Sequence, residues 1–146
     1  MNSIYLWSEI GNKTQLGKYA KQLVSMEFQM HGYQVSKPSS KQNDFTIKKG
    51  VGNKFDIRVR SIRPTKDKYP YIFFYRSHSR PENNLLAVIV LLRDENPPNL
   101  YLIQSTVWES PDAMFTCKNY KGSKNNLEWG VNLTDKHIDR LKGFAI

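Results

Sequence analysis

One short stretch of the sequence, Lys54 to Arg63, carries a row of charged side chains whose spacing would let them act on a shared ligand. Read with the two-residue period of a β-strand, its apolar residues fall on one side, while Asp56, Arg58 and Arg60 fall on the other. Arginine presents a planar fork of N–H donors that matches a phosphate group. The row therefore predicts a phosphate-binding surface or, alternatively, ion pairs of the arginines with Asp56 and Asp44 that fix the strand register without any ligand.

The distribution of charge along the chain favours phosphate binding. The 146 residues carry a formal net charge of +9. The segment from Lys37 to Arg80 holds twelve basic and three acidic residues, and the rest of the chain is balanced. Such clustering is typical of a nucleic-acid-binding surface, although a solvated surface that keeps the protein soluble is the alternative. The side chains that we expect to bind nucleic acid are Lys48, Lys49, Lys54, Arg58, Arg60, Arg63 and Arg76.

Length and composition exclude several other classes of protein. A chain of this length is about the size of one ordinary domain, so we expect a single domain over 1–146. A hydrophobic content of 39% is too high for a disordered tail, and no apolar run approaches the roughly 20 residues that cross a bilayer. We therefore expect no membrane partner. The absence of secretory signal features and the lone Cys117 predict a cytoplasmic location.

The elements that must position these side chains follow from the hydrophobic pattern. Helical spacing begins at Thr14, a predicted N-cap, and His31-Gly32 predicts the end of that helix. Pro111 to Phe115 predicts a short helical turn, and Thr134 to Lys142 predicts a second helix capped by Thr134. This order predicts an α/β (α+β) fold around one sheet. The predicted strands are Tyr33 to Ser36, Asp44 to Lys48, Phe55 to Ile62, Tyr71 to Arg76, Leu85 to Leu92 and Tyr101 to Gln104.

From Leu16 to Arg63 the order of elements resembles small members of the PD-(D/E)XK, or restriction-endonuclease-like, superfamily. The stretch GKYAKQLVSMEFQMHGYQVSKP is similar to their opening helix and first strand, and NDFTI to the strand that carries a metal-binding aspartate. FDIRVRSIR is similar to the strand of the D/E/Q-x-K element, and the tail resembles uncharacterised bacterial proteins of this type. The resemblance implies a mixed central sheet flanked by helices. It also implies duplex DNA as the partner and leaves a homodimer open.

The chain departs from the pattern of that superfamily at the positions that carry its chemistry. There, carboxylates hold Mg²⁺, which activates water for phosphodiester hydrolysis, and a lysine positions the water. Asp44 matches the aspartate, but Lys21 stands where relatives often place a glutamate, and the D/E/Q-x-K element falls on Arg58-x-Arg60 or on Asp56-x-Arg58. Arginine cannot act as a base. We therefore expect a nucleic-acid-binding domain with a degenerate catalytic site and no cofactor.

Two alternative functions remain open from the sequence. In the first, the protein is an active Mg²⁺-dependent DNA endonuclease or exonuclease with Asp44, Asp56 and Glu27 as catalytic acids and Asp44 as the metal ligand. In the second, it is a protein-interaction module whose basic face meets an acidic protein. Convergence of the three acids within reach of one metal ion would favour the enzyme.

Overall fold

A computed structural model describes residues 7, 12–38, 43–64, 71–75, 84–119, 127–133 and 135–146. Short 3₁₀ helices at Ser105–Glu109 and Lys142–Phe144 accompany the main elements. No helix in these described ranges is long and apolar enough to cross a bilayer. The main elements are α1 (Lys13–Met30), β1 (Gln34–Ser36), β2 (Phe45–Lys48), β3 (Lys54–Ile62), β4 (Ile72–Tyr75), β5 (Leu85–Leu91), β6 (Asn99–Gln104), β7 (Phe115–Asn119), β8 (Leu127–Val131) and α2 (Asp135–Leu141).

Helix α1 forms where the spacing of apolar residues predicts it. Asn12, rather than Thr14, is its N-cap, because Asn12 Oδ1 accepts the N–H of Gln15 at 2.8 Å. The helix ends at His31 as predicted, and Gly32 adopts a positive φ of 88° that suits glycine. The stripe that it buries recurs every four residues and consists of Leu16, Ala20, Val24 and Phe28.

The described strands form two sheets. The larger has the order β1-β2-β3-β5-β6, in which β3 and β5 are parallel and all other neighbours are antiparallel. The smaller is antiparallel, with the order β4-β8-β7. The larger sheet is therefore mixed, which confirms the predicted α/β (α+β) fold class. The expectation of only one sheet is wrong, because β4, β7 and β8 pair into a second sheet that covers one face of the first.

Two apolar cores cover the two faces of the larger sheet. Helix α1 packs on one face, against Ile57 and Val59 of β3. The smaller sheet and α2 pack on the other face, through Phe74, Trp129 and Leu141. Strand β5 is buried at every position, as expected for a continuous apolar strand that is covered on both sides. Each side chain of β3 therefore faces one of two layers.

The part of the chain that follows β6 differs from the sequence prediction. The helical turn predicted for Pro111 to Phe115 forms earlier, at Ser105–Glu109. No helical turn forms at Pro111 to Phe115 because Asp112 binds the backbone there. Its Oδ1 accepts the N–H groups of Met114 at 2.9 Å and Phe115 at 2.8 Å and so directs the chain into β7. Neither β7 nor β8 was predicted. The second helix is confirmed over Asp135–Leu141, and its predicted N-cap, Thr134, lies outside the described residues.

Candidate functional site

The charged face of β3 points toward the boundary between the two sheets, not toward open solvent. Asp56, Arg58 and Arg60 lie on the face that packs against the smaller sheet. Arg58 is only 5% exposed. Its Nε donates to Asn43 Oδ1 at 2.9 Å, and its guanidinium lies 6.0 Å from the centroid of the Trp129 ring. Arg58 is therefore packed as part of the interior between the sheets.

Arg60 lies further along the same row and reaches the edge of the smaller sheet. Its Nη1 donates to the Val59 carbonyl at 2.9 Å, its Nε to the Phe73 carbonyl at 3.4 Å, and its guanidinium stands 4.8 Å from the Phe74 centroid. Loss of solvent lowers the pKa of both Arg60 and Arg58, and for Arg58 the neighbouring Arg60 lowers the pKa further. Both side chains nevertheless stay charged at ordinary pH. They supply fixed positive charge at this boundary.

Asp44 stands where the hydrogen-bonded ladder between β2 and β3 ends. Its backbone N–H donates to the Ile57 carbonyl at 2.8 Å. One carboxylate oxygen accepts the N–H of Val59 at 2.6 Å, and the other lies 3.0 Å from Nζ of Lys21 on α1. The side chain is only 12% exposed. Its negative charge is therefore matched by a lysine and a backbone amide.

A cleft of about 800 Å³ opens between the first half of α1, the C-terminal half of β3 and the edge strand β4. Its volume is within the range of ligand pockets. Exposed Tyr71 and Phe73 form its aromatic side. Among the described residues that line it, none is acidic, so the cleft concentrates positive potential. We call it the basic cleft, after its five basic side chains: Lys13, Lys18, Lys21, Arg60 and Arg63.

The residues predicted to bind nucleic acid are divided among three places and a region not described, and one of them, Arg58, lies in the interior between the sheets. Arg60 and Arg63 line the basic cleft, and Arg63 also donates from Nη1 to the Trp7 carbonyl at 2.7 Å. Arg76 lies outside the described residues. The three lysines of the β2–β3 hairpin lie toward the other end of β3 and do not line the cleft: Lys48, Lys49 and Lys54.

The three candidate catalytic acids do not meet in one place. Glu27 lies near the C-terminal end of α1, where its carboxylate is 3.8 Å from Nδ1 of His31. Asp56 accepts a hydrogen bond from Thr46 Oγ1 at 3.3 Å, across the β2–β3 ladder. Within the described part of the chain, no group of three His, Cys, Asp or Glu residues could hold a metal ion. Of the three acids, Asp44 is the one joined to the basic cleft, through Lys21.

Three of the five cations of the basic cleft were not among the residues predicted to bind nucleic acid: Lys13, Lys18 and Lys21. They precede the basic segment that stands out in the charge distribution. Their signal is helical spacing, because Lys13, Gly17 and Lys21 are four residues apart and Lys18 is three residues before Lys21. That spacing identifies a shared face, but only the fold shows that the face borders β3.

Comparison with known proteins identifies the fold. No protein-family model matches the sequence, and no curated protein sequence matches it. Solved structures do match, among them a bacterial homing endonuclease, I-Ssp6803I. The two chains are 19% identical, the match covers 92% of this chain and 89% of that chain, and the TM-score is 0.57. This protein therefore shares its fold with that protein over nearly its whole length, and at this identity the likeness shows the fold alone.

Proposed function

We propose that this protein is a nucleic-acid-binding domain of the restriction-endonuclease-like type, with a degenerate catalytic site that binds phosphate and with duplex DNA as its ligand. The observation that carries the proposal is the basic cleft, which holds five cations, one of which, Lys21, pairs with the carboxylate of Asp44 at its edge. The fold shared with a homing endonuclease supports nucleic acid as the class of ligand.

The described residues around Asp44 do not fit a Mg²⁺ ion. Protein sites for Mg²⁺ usually combine one or two carboxylates with water and substrate phosphates. Here one carboxylate is present, each of its oxygens already has a partner, and the Lys21 ammonium stands 3.0 Å from Oδ1. Arg58 and Arg60 add positive charge that interacts electrostatically with Asp44. A further cation would be repelled by this group.

The same charges suit a phosphate-bearing ligand. Lys21 and Arg60 provide beside Asp44 the positive charge that a metal would otherwise bring to a phosphate. Most of the affinity for a nucleic acid comes from the release of its condensed counterions, so the number of phosphate contacts is read from the dependence of binding on salt. Five cleft cations that each contact one phosphate would give a slope of log affinity against log salt of about −4.5.

Fluorescence anisotropy of a labelled duplex in increasing salt tests this function. We expect binding at low salt with little preference for sequence, and the slope given above for a duplex too short to reach the lysines of the β2–β3 hairpin as well. Lys13→Gln and Lys18→Gln should each reduce the magnitude of the slope by about 0.9, because each removes one phosphate contact. Lys142→Gln is the matched control, since Lys142 pairs with Asp139 and does not line the basic cleft. If neither duplex nor single-stranded DNA binds at low salt, the proposal is wrong.

An active nuclease is the second candidate, because Asp44 lies beside the basic cleft of an endonuclease fold. Incubation of supercoiled plasmid with the protein and Mg²⁺ or Mn²⁺ distinguishes a nuclease from a domain that binds DNA without cleaving it. If the catalytic site is degenerate, the plasmid should not be nicked. Metal-dependent nicking that Asp44→Asn abolishes would instead establish the enzyme.

A protein-interaction module would be shown by an acidic protein partner that duplex DNA does not displace.

A further inference from the structure

Helix α1 contains a glycine, Gly17, that its own fold does not explain. Gly17 is the fifth residue of the helix, where glycine costs about 1 kcal/mol of stability relative to alanine. Its φ is not positive, so no left-handed conformation requires it. It is half-buried, yet a Cβ added there would have no described atom within 4 Å. Among the described residues, therefore, nothing packs closely enough against Gly17 to exclude a side chain.

The space beside Gly17 is the basic cleft. Gly17 lines this cleft, with Lys13 four residues before it and Lys21 four residues after it on the same helical face. The missing side chain leaves a gap between the two lysines, in which no described residue packs within 4 Å of the position that a side chain would occupy. Glycine is the residue that permits the closest approach of a ligand to a protein backbone. A gap of this kind between two ammonium groups suits an anionic chain that lies across the helix.

We infer that the sugar–phosphate backbone of the bound nucleic acid crosses α1 at Gly17, with Lys13 and Lys21 contacting phosphates on the two sides of the crossing. The inference rests on the proposed function. The two lysine Cα atoms are about 12 Å apart along the helix axis, and their flexible stems allow both ammonium groups to turn toward the strand. Lys21 is half-exposed, so its ammonium can contact a phosphate while it stays beside Asp44.

Two substitutions of Gly17 separate this inference from a purely structural role. Alanine and leucine both favour helix more than glycine does, but they fill the gap to increasing extents. We expect Gly17→Ala to raise Tm by about 4 °C. In the same protein, duplex affinity measured by anisotropy should fall about fivefold, which corresponds to about 1 kcal/mol. Gly17→Leu should lower affinity further without lowering Tm, so that stability and binding change in opposite directions.

Ser25→Ala is the matched control, because Ser25 is on the same helix and outside the basic cleft. It should raise helix propensity and leave duplex affinity unchanged. If the wild-type protein binds duplex DNA and both Gly17 variants bind it equally well, the inference is wrong and the proposed function stands. A fall in Tm for Gly17→Ala would also overturn the inference, since it would show that the fold itself needs the glycine. If the wild-type protein binds no DNA, the proposed function fails first.

Discussion

Asp44 joins helix α1 to strand β3 through both of its carboxylate oxygens, to Lys21 and to the N–H of Val59. We expect Asp44→Ala to lower the free energy of unfolding by about 2 kcal/mol, because the Val59 N–H loses its charged acceptor. Asp44→Asn keeps an acceptor for that amide, so it should cost less. It also removes an anion from the edge of the basic cleft, so duplex affinity should stay equal or become tighter. Urea unfolding and anisotropy measure the two effects, and weaker binding by Asp44→Asn would contradict this account.

Arg58 and Arg60 were equivalent candidates from the sequence, but the structure gives them different surroundings. Arg58 is buried against Asn43 and Trp129, whereas Arg60 lines the basic cleft. We expect Arg58→Gln to lower the free energy of unfolding by about 1 to 3 kcal/mol and to leave duplex affinity nearly unchanged.

Arg60→Gln should instead weaken duplex binding by about 1 to 3 kcal/mol, with a smaller loss of stability than Arg58→Gln causes. Arg60→Lys is the matched variant, because it keeps the charge and removes the planar fork. Its affinity for the duplex should lie between that of the wild-type protein and that of Arg60→Gln. Thermal unfolding and anisotropy of the three variants decide between the roles. Loss of binding by a fully stable Arg58→Gln protein would assign Arg58 to the phosphate site after all.

Among the secondary-structure elements, α2 is held to the turn before β7 by Asp112. Asp112 Oδ2 accepts from Arg140 Nη1 at 2.7 Å, while its Oδ1 accepts the two backbone amides of the turn. The N–H of Phe115, and then Arg140, hold the pKa of Asp112 below its ordinary value. A carboxyl group whose pKa is lowered by folding stabilises the fold above its unfolded pKa, and this stabilisation is lost as pH falls through the folded pKa.

The free energy of unfolding should therefore differ between the wild-type protein and Asp112→Asn by a constant amount at neutral pH. The difference should shrink once the pH falls below about 4, where the wild-type carboxyl begins to be protonated in the unfolded chain. Urea unfolding at a series of pH values measures it. Because Asp112 is exposed, solvent and salt screen the ion pair with Arg140, so the difference should also be smaller in high salt. An equal difference at neutral and acid pH would show that the carboxylate is not the group responsible.

The strongly periodic elements α1, β3 and β5 could be predicted from sequence, because each buries a regular stripe or a continuous apolar run. Strands β7 and β8 could not, since among the described strands β7 pairs only with β8, and β8 pairs with β7 and β4 and buries Trp129, which local sequence does not show. The same distinction applies to the site. Asp44 and Arg60 could be placed near each other from the order of strands. Lys13 and Lys18 reach the same cleft only because α1 crosses the end of β3.

The described part of the molecule presents two basic surfaces, one toward each end of β3. The basic cleft lies at the C-terminal end of the strand, and the lysines of the β2–β3 hairpin lie at its N-terminal end. Lys54 and Arg60 are six residues apart on this strand, a distance of about 20 Å. Since a DNA duplex rises about 3.4 Å per base pair, a duplex that lies along β3 must be longer than about six base pairs to contact both surfaces.

The length of the duplex should therefore decide whether the hairpin lysines contribute to binding. With a long duplex, replacing Lys48, Lys49 and Lys54 together by glutamine should reduce the magnitude of the salt slope by about 2.7, because three phosphate contacts are lost. A short duplex of about six base pairs, with one end closed by a DNA loop, can be held in the basic cleft alone. With this duplex the same triple variant should bind like the wild-type protein. Lys142→Gln, outside both surfaces, should leave the slope unchanged at either length. An equal effect of the triple variant at both lengths would mean that the hairpin lysines act through the overall charge of the protein, because a screened long-range field does not depend on whether the duplex reaches them.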